Sequence, residues 1–285
     1  MNYSIRTFGV SRDAAQGAVA KAVAGLRRAA ATPRCTWETG FTLVEMAIVL
    51  VILVVLTGGL MSGLTSQVDA RNQARTEQTL TDIREALLGF AAAQGRLPCP
   101  AAPNGGGSES PAGGGACTNA LDGFVPGSTL GLGPTDGRGY VLDGWNRPLR
   151  YAVANDRSYA FTSAGGMRGA TLATLNADMG NNPGGFLKIC SAASGSTTAC
   201  AATTSTLSSN ALAVVYSLGR NGASGGTGVD ERQNPNPNGA TPADIVFVSH
   251  EATAAGSPGG EFDDIVSWIS PYTLYSRMIA AGQLP

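Results

Sequence analysis

The sequence predicts an α+β chain in which a long N-terminal helix, apolar in its first half and amphipathic in its second, lies on an antiparallel β-sheet. Three observations carry this. Residues 41–61 hold one charge, Glu45, in an otherwise apolar run. Beyond it, Leu80, Ile83, Leu87, Leu88 and Ala91 recur at helical spacing. From Pro148 onward, short Val-, Ile- and Tyr-bearing runs alternate with Gly-, Asn- and Pro-rich stretches, the pattern of strands and turns. A helix covering one face of a sheet is a two-layer α+β arrangement. The expected divisions are 1–40, a segment preceding the helix; 41–61, its apolar half; 62–95, its amphipathic half; and 96–285, a globular domain with long loops.

The first segment carries Arg6, Arg12, Lys21, Arg27, Arg28 and Arg34 against Asp13 and Glu38, a net charge of +4. Its Ala/Gly/Arg-rich stretch from Asp13 to Ala31 reads either as a weak basic amphipathic helix or as sequence upstream of the true start. At 1.5 Å per residue, residues 41–61 would extend about 31 Å, matching a hydrocarbon core of roughly 30 Å. The expectation is a single membrane span with the basic N-terminus inside and everything after Met61 outside. Gly58, Gly59 and Gly63 either loosen the lower end of that helix or allow close helix packing. An ionised carboxylate within a span is costly and marks a functional position by default. A cut after Gly40 would create an amine near Glu45, and the two opposite charges could neutralise each other between neighbouring chains.

The amphipathic half presents Gln67, Asp69, Arg71, Asn72, Arg75, Glu77 and Gln78 to solvent and is expected to run to about Gln94. Gly95 is a C-terminal stop, and Pro98 and Pro100 cannot continue a helix. Residues 101–139 form a long irregular connection. Strands are expected at Pro148–Ala154 and Ser158–Ser163, joined as a hairpin through Asn155-Asp156-Arg157, and at Gly185–Cys190, Ala211–Leu218, Asp244–Ser249 and Ile265–Ile269. Residues 191–209 and 219–243 read as loops, and Pro271–Ala281 as a last helix ended by Gly282.

Cys35 precedes the apolar run; Cys99, Cys117, Cys190 and Cys200 follow it. An even number in an exported domain reads as disulfides, and short loops favour Cys99–Cys117 with Cys190–Cys200 among three connectivities. The chain has no Cys-x-x-Cys and one histidine, His250, which points away from zinc. Nor does it hold a Walker motif or His-Glu-x-x-His, and a non-enzymatic role is expected.

Gly40-Phe41-Thr42-Leu43-Val44-Glu45-Met46, opening straight into the apolar run, resembles the processing site of the type IV pilin superfamily, which includes the pseudopilins of type II secretion. The resemblance implies cleavage after Gly40 by a prepilin peptidase and N-methylation of Phe41. It implies a helical filament built on residues 41–61, with Glu45 pairing a neighbour's Phe41 amine. It also implies a bacterial inner-membrane precursor with a periplasmic domain, and as partners other subunits, the peptidase and an assembly platform. The pilin-like fold it implies is the same long helix on an antiparallel sheet. Forty residues is long for such a leader. Removing them takes the formal net charge from −1 to −5, which does not favour a nucleic-acid surface.

Asp143-Gly144-Trp145-Asn146-Arg147-Pro148-Leu149-Arg150-Tyr151, Tyr216–Gly222 and Asp263–Trp268 resemble elements of the major pseudopilin of type II secretion. There, the last two form a loop that binds calcium through aspartates and backbone carbonyls. The resemblance carries over Asp263 and Asp264 as calcium ligands and Asn221 as a weaker third. Asn221 stands where the family has an aspartate, and some forty residues separate two elements that the family keeps close. The other reading of Asp263 and Asp264 is as turn residues bonding nearby backbone N–H groups. A further alternative is a binding module displayed on a pilus, an adhesin or a DNA-uptake subunit, using the long loops. Arg220 and Arg232 are outweighed there by Asp230, Asp244, Glu251 and Glu261, which argues against DNA.

Overall fold

The structure, a computed structural model, describes residues 40–169, 185–202, 204–235 and 244–284, except the side chains of 58–65 and Asp156. Of the predicted leader, only Gly40 lies within the described residues. The chain divides into two units, Met1–Val54 and Val55–Pro285, and helix α1 (Leu43–Gln94) runs through the boundary.

In the first unit, Thr42 caps α1: its Oγ1 accepts the Glu45 amide at 3.2 Å. This places Glu45 at the third helical position, where a carboxylate also favours the positive end of the helix dipole. Phe41, Leu43, Val44, Met46 and the apolar residues through Val54 are exposed. Among the described residues no helix is long and apolar enough to cross a membrane. Of the span expected at 41–61, the side chains of 58–61 lie outside the described residues.

The second unit is an α+β domain. Leu80, Ile83, Leu87, Leu88 and Ala91 of α1 are buried, as their spacing predicts, in a cluster that includes Tyr151, Val153, Val214, Val215 and Phe247. Gly95 closes the helix, its amide bonding Ala91 O at 2.8 Å. One antiparallel sheet has the order β1-β2-β5-β7, with β1 at Gly123–Phe124, β2 at Arg150–Val153, β5 at Ala213–Ser217 and β7 at Ile265–Ile269. A second sheet runs β4-β3-β6, with β3 at Leu187–Cys190, β4 at Thr206–Ala211 and β6 at Val246–Val248. Every residue of β5 is buried, and Tyr216 meets Phe247 of β6 with ring centroids 5.3 Å apart, joining the two sheets. The Pro271–Ala280 helix is capped by Ser270, whose Oγ accepts the Thr273 amide at 3.3 Å.

Three expectations are corrected. Ser158–Ser163 is not a strand: Arg157, Ser158 and Tyr159 have φ of 50°, 55° and 64°, a left-handed run that turns the chain. β2 instead pairs with β5, setting Tyr151 opposite Val215. Residues 206–209, read as loop, belong to β4, an edge strand whose partly exposed, Ser/Thr-rich composition hides it from a hydrophobic pattern. The second sheet is also not wholly antiparallel, since β3 and β6 run parallel.

Both expected disulfides, Cys99–Cys117 and Cys190–Cys200, are formed. The loop after α1 is pinned a second time by buried Arg96, whose guanidinium donates to both oxygens of Glu109 at 2.8 and 2.7 Å. Glu109 also accepts the amides of Cys99 and Gly113. Burial alone would push the Glu109 carboxyl up, but Arg96 and these amides outweigh it and leave it below the usual carboxylate range.

Candidate functional site

Three chain segments that the sequence keeps far apart converge in the second unit. The first is the turn at 143–147. Asp143 Oδ1 accepts the amides of Trp145 (2.9 Å) and Arg147 (2.8 Å), and its Oδ2 accepts the Ser217 hydroxyl at 2.6 Å. Gly144 lies against α1: its amide donates to Thr76 Oγ1 at 2.9 Å, and a Cβ here would collide with the Asn72 backbone. Trp145 Nε1 donates to Asp69 Oδ1 at 3.3 Å. Arg147 then reaches across to donate to the carbonyls of Gly219 (2.7 Å) and Arg220.

The second segment is the turn held by Arg147. The amides of Arg220 and Asn221 donate to Asp263 Oδ2 at 3.0 and 3.3 Å. Gly219, with φ of +57°, leaves the space into which Asp263 Oδ1 projects, and a Cβ there would overlap that oxygen. Asp263 therefore does bond backbone N–H groups, but those of a turn more than forty residues earlier.

The third is Glu231–Asn234. Glu231 is 3% exposed. Its Oε1 accepts Asn221 Nδ2 (2.8 Å) and the Asp263 amide (3.1 Å), and its Oε2 accepts the amides of Thr227 and Gly228. Buried Asn234 ties the end of β6 to Asp264: its Oδ1 accepts the Val248 amide at 2.7 Å and its Nδ2 donates to Asp264 Oδ2 at 2.7 Å.

Glu231, Asp263 and Asp264 thus each place one carboxylate oxygen within 4.8 Å of the others. Oxygens sharing one calcium at 2.3–2.6 Å lie within about 5 Å of each other. Burial, and then Glu231 beside it, push the Asp263 carboxyl up to about 6. Burial raises Asp264 well above its ordinary value, against the lowering effect of Asn234. Asp263 Oδ1 is buried and has no hydrogen-bond partner. A buried, partnerless carboxylate oxygen among repelling carboxylates is the arrangement a hard divalent cation relieves, so these residues fit calcium.

Of the sequence-based ligands, Asp263 and Asp264 are brought together. Asn221 stands beside them but turns its Nδ2 toward Glu231 and braces that carboxylate. Glu231 itself was missed, because one acid in a Gly/Asn-rich loop carries no periodic signal. Glu45, Phe41 and Gly40 lie in the other unit and are exposed. His250 stacks on Phe262 at 3.9 Å and faces Asp230 at 3.2 Å.

Compared with known proteins, the chain matches no family model, no curated protein and no solved structure.

Proposed function

We propose that the chain is a non-enzymatic subunit of a type IV pilus or type II secretion filament, a pseudopilin or minor pilin. It would be cut after Gly40, methylated on Phe41 and packed through the apolar start of α1. The observation that carries this reading is the Gly-Phe-Thr-Leu-Val-Glu opening of α1, in which one carboxylate stands among exposed apolar side chains. Burying that apolar surface against neighbouring chains is favourable by about 25 cal/mol per Å². Glu45 would be tolerated in such a core if a Phe41 amine neutralised it.

Three further features support the reading without being specific to it: the α+β domain, the two disulfides of an oxidising compartment, and the convergence of the three segments on one acidic cluster. In this reading Glu231, Asp263 and Asp264 hold a calcium ion that closes the domain's long loop, with Asn221 bracing Glu231.

The test is the intact mass and N-terminal sequence of the protein taken from membranes with and without prepilin peptidase. A chain beginning at N-methyl-Phe41 only when the peptidase is present is the expected result, and an unprocessed chain in both strains overturns the reading. The Glu45→Ala variant is expected to be cleaved normally yet enter filaments poorly; normal filament yield would sink the role given to Glu45.

A further inference from the structure

We infer that an acidic groove along α1 in the second unit receives the Arg71–Arg75 face of another copy of this chain. The inference rests on the filament reading for its biological setting but on separate residues for its evidence.

The groove has a volume of about 850 Å³. Ser66, Asp69, Ala70, Gln73 and Glu77 of α1 form one wall, and residues 249–254 and 261–266 line most of the remainder. Beyond the metal cluster, its carboxylates are Asp69, Glu77, Glu251 and Glu261. Arg220 is the one arginine among the described lining residues, and it is shared between Asp69 at 3.3 Å and Glu261 at 2.7 Å. His250, also in the lining, is directed at Asp230. Glu77 and Glu251 are exposed and make no ion pair among the described residues. The groove therefore carries an excess of negative charge beside Trp145, Leu207 and other apolar lining.

The complementary charge is on the same helix. Arg71 and Arg75 are exposed, and no ion pair among the described residues engages either. Four residues apart, they stand one above the other about one turn along α1. At about 100° per residue, Arg71 is turned roughly 160° from Asp69, and Arg75 likewise from Gln73. The acidic flank and the basic flank consequently face away from each other and cannot meet within one chain. Two such unlike patches form a heterologous contact, which repeats head to tail rather than closing as a two-fold dimer. That repeat is the geometry a filament needs. Because the contact is built from surface charges, it weakens as salt rises.

The experiment uses the full chain in the membranes of producing cells. A variant carrying both Arg75→Cys and Glu251→Cys, after mild oxidation, is expected to give a ladder of crosslinked dimers, trimers and higher species that neither single variant gives. In that background, Arg71→Glu with Glu77 and the rest of the groove unchanged is expected to reduce the ladder at least tenfold. Adding Glu77→Arg to it is expected to restore the ladder, which a variant that merely misfolds would not do. Absence of the crosslink, crosslinking that stops at dimers, or capture of a different protein overturns the inference. The same membranes are scored for an N-terminus at Phe41. Processing without a ladder removes the groove contact alone. A ladder from an unprocessed chain upholds the contact while the filament reading falls, and neither result overturns both.

Discussion

Arg96 and Glu109 show how much a single side chain decides here. Their side chains are 8% and 9% exposed, and each satisfies the other with two hydrogen bonds. Removing one partner strands a buried charge, at a cost of about 3–5 kcal/mol. Glu109→Ala is therefore expected to destabilise the domain by that amount in chemical denaturation, and a loss below about 1 kcal/mol would mean that the pair behaves as a surface bridge. Gly144 works by lacking a side chain: only a bare Cα fits against Asn72, so the 143–147 turn can sit on α1. Asn221 acts as a hydrogen-bond donor. Its amide donates to buried Glu231, which an ionised aspartate could not do.

At the scale of elements, α1 has two different faces to explain. Between Leu80 and Ala91 its stripe is buried, and truncating a fully covered side chain leaves a cavity. Leu87→Ala is expected to cost about 2–5 kcal/mol of domain stability, measured by denaturant midpoint at unchanged slope. Between Leu43 and Val54 the apolar side chains are exposed, so shortening one there should leave domain stability within about 0.5 kcal/mol and, in the proposed reading, act on assembly instead. The stripe was legible in the sequence because 3.6-residue spacing is a local property. The hairpin expected at 148–163 was not legible, because the pairing of β2 with β5 lies across some sixty residues and competes with any nearby partner. β4 was missed for a related reason: an exposed edge strand needs no apolar alternation, and its backbone pairing with β3 holds it in place.

In the second unit, segments 143–147, 219–234 and 263–264 come together, and in the proposed reading calcium is their clasp. At saturating calcium, a hundredfold above the dissociation constant, the gain in stability is about 2.7 kcal/mol. Its pH dependence has a definite sign. Asp263 is raised to about 6 in the folded, metal-free protein. Its contribution to stability is therefore complete below its unfolded value near 4 and is lost as pH rises through about 6. Calcium needs the ionised form, so its affinity falls as pH drops below about 6. The calcium-induced rise in Tm should consequently be large at pH 7.5, small at pH 5, and absent at both in Asp263→Asn. An equal rise at both pH values, or one retained in that variant, would remove Asp263 from the ligand set.

The sequence by itself determined the parts whose causes are local. These are the helical stripe from Leu80 to Ala91, the stop at Gly95, the two short-loop disulfides and the last helix. Each is written in neighbouring residues, through spacing, capping or loop length. Tertiary structure alone decided which strand lies beside which, that β3 and β6 run parallel, and that Glu231 joins Asp263 and Asp264. Those outcomes depend on contacts between residues some sixteen (Cys190 with Thr206) to sixty-six (Arg150 with Tyr216) positions apart. Such contacts are selected by burial and hydrogen-bond satisfaction over the whole core, and no stretch of the chain encodes them alone.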